Sequence, residues 1–324
     1  MPAPVRGSTV VLTGASSGIG RATALRFAEE GADLVLAARD PGTLAEVASM
    51  CEERGARAVA VPTDVADGEA VERLAATAVE HFGRIDTWVN DAGVMAYGTF
   101  EEIPGEVFER IIQTNLMGQV HGARAALPRF RSQGSGVLIN LCSIWGRVTT
   151  PLVSPYVVSK HAVRALGECL NSELVDEPDI HVATILPAAV DSPIFENSGN
   201  YSGKRLRPVW PIFNPRYVAD GIVACAGSPK REVVYGRAGR ALELLYTIFP
   251  WLYRRVAPAM FMRGTFIDEP EDDSAGSVLT PRPESYRIDG GWRSDRRWEL
   301  AKAFGAALWG SLLGLAGQAG RAKP

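Results

Sequence analysis

Short, continuously apolar runs alternate with longer stretches of helical spacing from the start of the chain. Thr9-Val10-Val11-Leu12 reads as a buried strand, and residues 18–30 as a helix that Gly31 ends. Strands follow at residues 34–37, 58–61, 85–89, 137–141 and 181–186, with a seventh at 232–235. Helical spacing fills 41–54, 67–81, 106–131 (one long helix or two) and 154–175. Apolar strands separated by helices imply a parallel sheet covered on both faces. Right-handed crossovers make that sheet doubly wound, with expected order 3-2-1-4-5-6-7.

The alternation stops near residue 240. Residues 242–262 are strongly apolar yet carry Pro250, Pro258, Arg254 and Arg255. Residues 268–297 are rich in Pro, Gly and charge and read as a loop or linker. A closing helix is expected at 300–315, where Leu300, Phe304, Leu308 and Leu312 recur every four residues. The expected division is a dinucleotide-binding and catalytic unit at 1–240 and a C-terminal extension at 241–324.

Composition narrows the class. The 324 residues are 46% apolar and 22% charged with net charge −3, which gives no reason to expect nucleic acid. Cys51, Cys142, Cys169 and Cys225 are scattered, as are the four histidines, so no zinc site or disulfide framework is suggested. Four buried thiols in a reducing compartment are expected. No secretory signal core and no 18-residue apolar span are found, so a cytoplasmic protein is expected.

The chemistry begins at Thr13-Gly14-Ala15-Ser16-Ser17-Gly18-Ile19-Gly20, which follows the first strand and opens the first helix. Glycines let the backbone turn tightly against a pyrophosphate, and the helix N-terminus offers free N–H groups to the anion. The Gly-x-x-x-Gly-x-Gly spacing resembles the cofactor motif of the short-chain dehydrogenase/reductase superfamily, in its shorter, non-extended branch. That resemblance implies a Rossmann-type fold. In this fold an acid at the tip of the second strand reads the ribose of NAD, whereas an arginine accommodates the 2′-phosphate of NADP. Here Ala38 is neutral and Arg39 follows, so NADP(H) is the expected cofactor, with NAD(H) left open. The alternative has Arg39 solvating a loop and Asp40 capping the next helix. Asp64 and Val65, in Thr63-Asp64-Val65, resemble the adenine-contacting segment. Asn90-Asp91-Ala92-Gly93 resembles the family's Asn-Asn-Ala-Gly, with Asp91 departing from the second Asn.

Tyr156 and Lys160 stand four residues apart, on one face of the helix expected at 154–175. A free tyrosine titrates near pH 10, and a nearby ammonium lowers that value, so the pair suits proton transfer to or from an alcohol oxygen. Ser143 lies at the end of the fifth strand, where open α/β sheets bind ligands, and otherwise reads as a turn cap. Asn115 is a mediocre helix former inside an expected helix, so it asks for a polar partner. Asn115, Ser143, Tyr156 and Lys160 resemble the superfamily's catalytic tetrad in order and spacing. The resemblance implies that Lys160 also holds the nicotinamide ribose and that Asn115 holds a relay water. Pro187-Ala188-Ala189-Val190-Asp191-Ser192 resembles the family's Pro-Gly-x-Val-x-Thr, so Pro187, Val190 and Ser192 are expected at the nicotinamide.

The implied activity is carbonyl/alcohol interconversion on a small-molecule substrate. Phe195, Tyr201, Trp210 and Phe213, with Trp145, Met95 and Tyr97 opposite, suggest a bulky apolar pocket and a hydrophobic substrate. A catalytically silent NADP-binding regulator is the main alternative, and an epimerase or dehydratase of the extended branch a weaker one. The resemblance implies a homodimer or homotetramer. The apolar tail, with Arg296, Arg297, Lys302, Arg321 and Lys323 flanking its final helix, leaves open a pocket rim, a subunit contact or a peripheral membrane contact.

Overall fold

The computed structural model describes residues 5–293. Its first strand, β1 (Thr9–Thr13), is buried along its whole length, and its side chains alternate between two cores. Val10 and Leu12 face the layer made by α1 (Gly18–Glu29) and α2 (Pro41–Glu52). Val11 faces the opposite layer, with Leu74, Ala78 and Phe130. Burying one such side chain stabilises the fold by about 1.5–3 kcal/mol, so a polar residue at Val10, Val11 or Leu12 would be expensive.

The remaining strands of this sheet are β2 (Asp33–Ala38), β3 (Ala58–Pro62), β4 (Thr87–Asn90), β5 (Gly136–Leu141), β6 (Ile180–Pro187) and β7 (Glu232–Tyr235). All pair in parallel, in the order β3-β2-β1-β4-β5-β6-β7. This is the α/β doubly wound fold expected from the alternation. The fourth strand starts at Thr87, not at residue 85, because Ile85 and Asp86 lead into it. The Asp86 carboxylate accepts from Thr9 N at 2.9 Å instead of lying in the ladder.

Layered over the sheet are also α3 (Gly68–Phe82), α4 (Gly105–Ile112), α5 (Gly118–Gln133), α6 (Ser154–Glu173) and α7 (Pro215–Gly227). The long 106–131 stretch resolves into α4 and α5, joined by a π-helical turn, Gln113–Met117. Such turns recur at functional sites, and Asn115 sits in this one.

Beyond β7 the apolar stretch divides into α8 (Arg237–Ile248) and α9 (Pro250–Thr265). Pro250 occupies the first helical position of α9, where its missing N–H costs nothing. Phe266–Pro270 then pairs antiparallel with Lys204–Leu206. The chain after it runs back across the front of the sheet. The helix expected at 300–315 lies outside the described residues. Cys51, Cys142 and Cys225 are buried as expected, but Cys169 is exposed on the outer side of α6.

Candidate active site

The loops at the carboxyl ends of β1, β2, β4, β5 and β6 converge on one cavity of about 330 Å³. Fifteen of the seventeen cofactor residues expected from the sequence line it, together with Ser143. Gly20, Asn90 and Asn115 stand behind its wall. Asn90 is turned into the interior, where Nδ2 donates to Asn140 Oδ1 at 3.0 Å and Trp88 Nε1 donates to Asn90 Oδ1 at 2.8 Å.

The phosphate loop needs its glycines for measurable reasons. Gly14 has φ of +74°, and a Cβ there would stand 2.7 Å from Ala92 N. A Cβ on Gly20 would press onto the Gly14 carbonyl oxygen. Ser17, the N-cap of α1, makes no side-chain cap, and the first turn carries no acid. The N-terminus of α1 meets a glycine cradle, a setting that suits a pyrophosphate, although Gly18 N already donates to Arg287 O at 2.8 Å. One carboxylate intrudes. Asp91 is half-buried and accepts from Gly20 N, while its buried Oδ1 has no partner. Burial pushes its carboxyl up to about 7, against the pull of Lys160's charge and the Gly20 N–H.

At the adenosine end, Asp64 pairs with Arg110 and its Oδ1 accepts from Ala66 N at 3.0 Å. Asp40 does cap α2, accepting from Thr43 N at 2.8 Å. Arg39 lines the cavity but is already engaged: Nη2 donates to Ser277 O at 2.6 Å and Nη1 to Val278 O at 3.1 Å. Sequence pattern gave no hint of these partners.

At the other end, α6 carries Tyr156 and Lys160 on one face, with Lys160 Nζ 5.4 Å from the centre of the Tyr156 ring. Nζ donates to Leu141 O at 2.8 Å. Asn115 is fully buried. Its Oδ1 accepts from Val94 N at 2.8 Å, and its Nδ2 donates to Val94 O at 2.9 Å and to Ser159 Oγ at 3.1 Å. Asn115 thereby ties the π turn to the loop after β4 and to α6. Ser143 is both a turn cap and a site residue: Oγ accepts from Trp145 N at 3.2 Å and also engages Tyr156.

The spacing argument expects a tyrosine with a lowered pKa. The structure gives the reverse: burial raises the Tyr156 phenol, and the Ser143 hydrogen bond offsets only part of it. Burial likewise lowers Lys160. Desolvation is the largest influence on the phenol, and the Lys160 ammonium lies over the ring rather than at the hydroxyl.

Beyond Tyr156 the cavity becomes apolar. Met95, Tyr97, Trp145, Phe195 and Trp210 line it as expected. Tyr201 and Phe213 do not. Tyr201 packs with Val94 and Ile103, and Phe213 stacks on Tyr217. Their places are taken by Val209, Leu242, Met260 and Phe261. Phe261 meets Trp145 edge-on at 5.5 Å, and Trp145 meets Tyr156 edge-on at 5.8 Å. The apolar run at 242–262 was the available signal for this wall, but periodicity does not say which surface a helix covers.

Comparison with known proteins agrees with this geometry. A short chain dehydrogenase family model matches residues 8–201. The uncharacterised oxidoreductase YxnA of Bacillus subtilis is 35% identical over 292 residues, which is 89% of this chain and 79% of that one. Dehydrogenase/reductase SDR family member 7B of Bos taurus is 32% identical, over 79% of this chain and 82% of its own. Among solved structures, a short-chain dehydrogenase/reductase from Burkholderia phymatum in complex with NAD superposes with a TM-score of 0.69 at 28% identity, over 77% of this chain and 96% of that one. An alcohol dehydrogenase from Thermococcus sibiricus complexed with 5-hydroxy-NADP gives 0.61 at 28% identity, over 71% and 96%. Fold and site together define a nicotinamide-dependent oxidoreductase. The chain belongs to the short-chain dehydrogenase/reductase superfamily.

Proposed function

We propose that the protein is an NADP(H)-preferring oxidoreductase that interconverts a carbonyl and an alcohol on a hydrophobic substrate. The observation that carries this reading is the junction of two chambers at Tyr156. A glycine-cradled cleft meets an apolar room walled by Met95, Trp145, Phe195 and Phe261. When bound, the nicotinamide supplies or accepts the hydride.

The chain's own residues do the rest. Ser143 holds the substrate oxygen beside the Tyr156 hydroxyl. Tyr156 gives its proton to that oxygen in reduction and takes it back in oxidation. Lys160 supplies positive charge next to Tyr156 and replaces the lost proton. Asn115 holds the backbone around Lys160 in register through Val94 and Ser159. The aromatic walls keep water from the reacting carbon and favour bulky apolar groups. Arg39 beside the neutral Ala38 supports NADP(H) over NAD(H).

The direct test is an NADPH-oxidation screen over carbonyls of increasing hydrophobic size, with Tyr156→Phe as control. Activity is expected to rise with apolar bulk and to vanish in the variant. Turnover confined to small charged hydroxy acids or sugars would reject the substrate class. Stoichiometric NADPH binding without turnover across the panel would favour the silent regulator.

We also propose a homodimer or homotetramer and a peripheral membrane contact through the tail. Ile248, Phe249 and Trp251 are exposed where α8 meets α9, which suits either. Sedimentation and liposome flotation separate the two.

A further inference from the structure

The segment between Ser274 and Trp292 lies along the cofactor cleft. Its outer edge is held by the loop beyond β6: Ser274 exchanges backbone hydrogen bonds with Asn200, Ser277 N donates to Asn197 O at 2.8 Å, and Ser285 Oγ donates to Asn197 Oδ1 at 2.5 Å. Three further ties bind it to the cleft. At the adenosine end, Ser277 O and Val278 O accept from the Arg39 guanidinium. In the middle, Gly18 N, the first amide of α1, donates to Arg287 O at 2.8 Å. Arg21 Nη1 donates to Tyr286 O at 3.1 Å. At the nicotinamide end, the Asp191 carboxylate accepts from Trp292 N at 2.9 Å and from Arg293 N at 3.2 Å. Glu196, in the loop beyond β6, pairs with Arg287.

Ser277 and Tyr286 line the cavity on one side, and Gly14, Ser16 and Asp64 line it on the other. A dinucleotide reaching from Asp64 to Ser192 therefore lies beneath this segment. It cannot enter or leave sideways while all three ties hold. Gly276 fixes where the segment turns: its φ is +57°, and a Cβ there would run into the Asn197 carbonyl oxygen.

We propose that residues 274–292 form a removable cover over the bound dinucleotide and that Arg39 is its latch. The guanidinium holds the cover's carbonyls. When NADP(H) arrives, the same guanidinium turns to the 2′-phosphate, a stronger acceptor than two neutral carbonyls. The cover is then held by its ties to Gly18, Arg21 and Asp191 and by its bonds to the loop beyond β6. NAD(H) has no 2′-phosphate with which to release the latch. Cofactor choice at this site is thus a competition between a phosphate and a stretch of the protein's own backbone. This step rests on the NADP(H) reading, whereas the cover itself does not.

The test is stopped-flow binding of NADH and of NADPH, read by nicotinamide fluorescence, with amide hydrogen exchange over 274–292 in the cofactor-free protein. Hydrogen bonds to a charged donor are strong enough that Arg39→Ala should speed NADH association about tenfold and raise exchange in the cover. The same variant should lose at least about tenfold in NADPH affinity relative to NADH. Glu196→Gln, which leaves Arg39 untouched, should speed both cofactors alike and leave their affinity ratio unchanged. Faster NADH association with an unchanged affinity ratio in Arg39→Ala would support the cover and overturn the NADP(H) reading. Unchanged NADH association in both variants, with unchanged exchange, would overturn the cover.

Discussion

The inner wall of the cleft, residues 9–192, and its outer wall, residues 237–293, are held by different means. The inner wall depends on residue identity at almost every contact. Gly14 and Gly20 are needed because backbone passes within contact distance, and Asn115 because three partners meet its amide. The outer wall depends on backbone carbonyls and on apolar bulk. Arg39 grips carbonyls that any residue at 277 and 278 would present, while Phe261 and Met260 offer only surface. The inner wall is therefore intolerant of substitution and carries the chemistry. The outer wall is free to vary in sequence and is where substrate preference and cofactor access can be reset.

The largest effect expected from this contrast is at Tyr156. Tyr156→Phe should lower kcat/KM by about a thousandfold, the range for losing a positioned acid–base group. NADPH affinity, measured by fluorescence titration, should stay within about twofold because the ring and its packing remain. Substantial remaining turnover would break the division of labour.

Next is Asp91. Unfolded, its carboxyl ionises near the ordinary 3.8, and folded it ionises near 7. Between those values the unfolded state binds fewer protons, so stability falls as pH rises through this window and stays low above it. Asp91→Asn should leave the melting temperature unchanged below pH 4. Above pH 7 it should raise stability by up to about 4 kcal/mol, less whatever the lost attraction to Lys160 contributed. A melting gain that shrinks with rising pH would contradict the buried-carboxyl account.

On the outer wall, Phe261→Ala removes a mostly buried ring from the roof of the apolar room. KM for bulky apolar substrates should rise about tenfold with kcat nearly unchanged, the signature of lost uniform binding. An equal fall in kcat would place Phe261 in the reaction itself and blur the two walls.

The smallest effect is expected at Gly276→Ala. Strain at a left-handed position costs about 1–3 kcal/mol, and here it falls on the cover and on the Asn197–Ser198 backbone beneath it. Hydrogen exchange should rise over 274–292 while α1 and β1 keep their protection.

The sequence made the inner wall readable because its constraints leave marks. A glycine required by a close approach, or a tyrosine one turn from a lysine, is visible without coordinates. All seven strands follow from apolar runs for the same reason, and their order from the Rossmann-type fold that the resemblance implies. The outer wall left few marks. Residues 268–297 read as a linker because Pro, Gly and charge dominate them, yet much of that stretch lies against the cleft. Its ties to Arg39, Gly18, Arg21 and Asp191 use its main-chain atoms, which no residue type announces. Arg39 shows the limit most clearly. Its place at the tip of β2 was foreseeable, and its partners 238 residues away were not. Tyr201 and Phe213 failed as pocket residues because aromatic content does not specify direction. The lowered tyrosine pKa failed because spacing ignores desolvation.

The bond from Arg39 to Ser277 closes a loop of 238 residues. Loop-closure entropy grows only slowly with length, so the span itself costs little extra. Order of assembly is another matter. Nearly the whole sheet separates the two partners in sequence, so this contact forms after the sheet has a surface to receive it. It joins a half-buried guanidinium to the carbonyls of Ser277 and Val278, which are themselves buried. The protein therefore carries a late-folding unit on top of an earlier one, and the glycine cradle and the Tyr156–Lys160 pair belong to the earlier one.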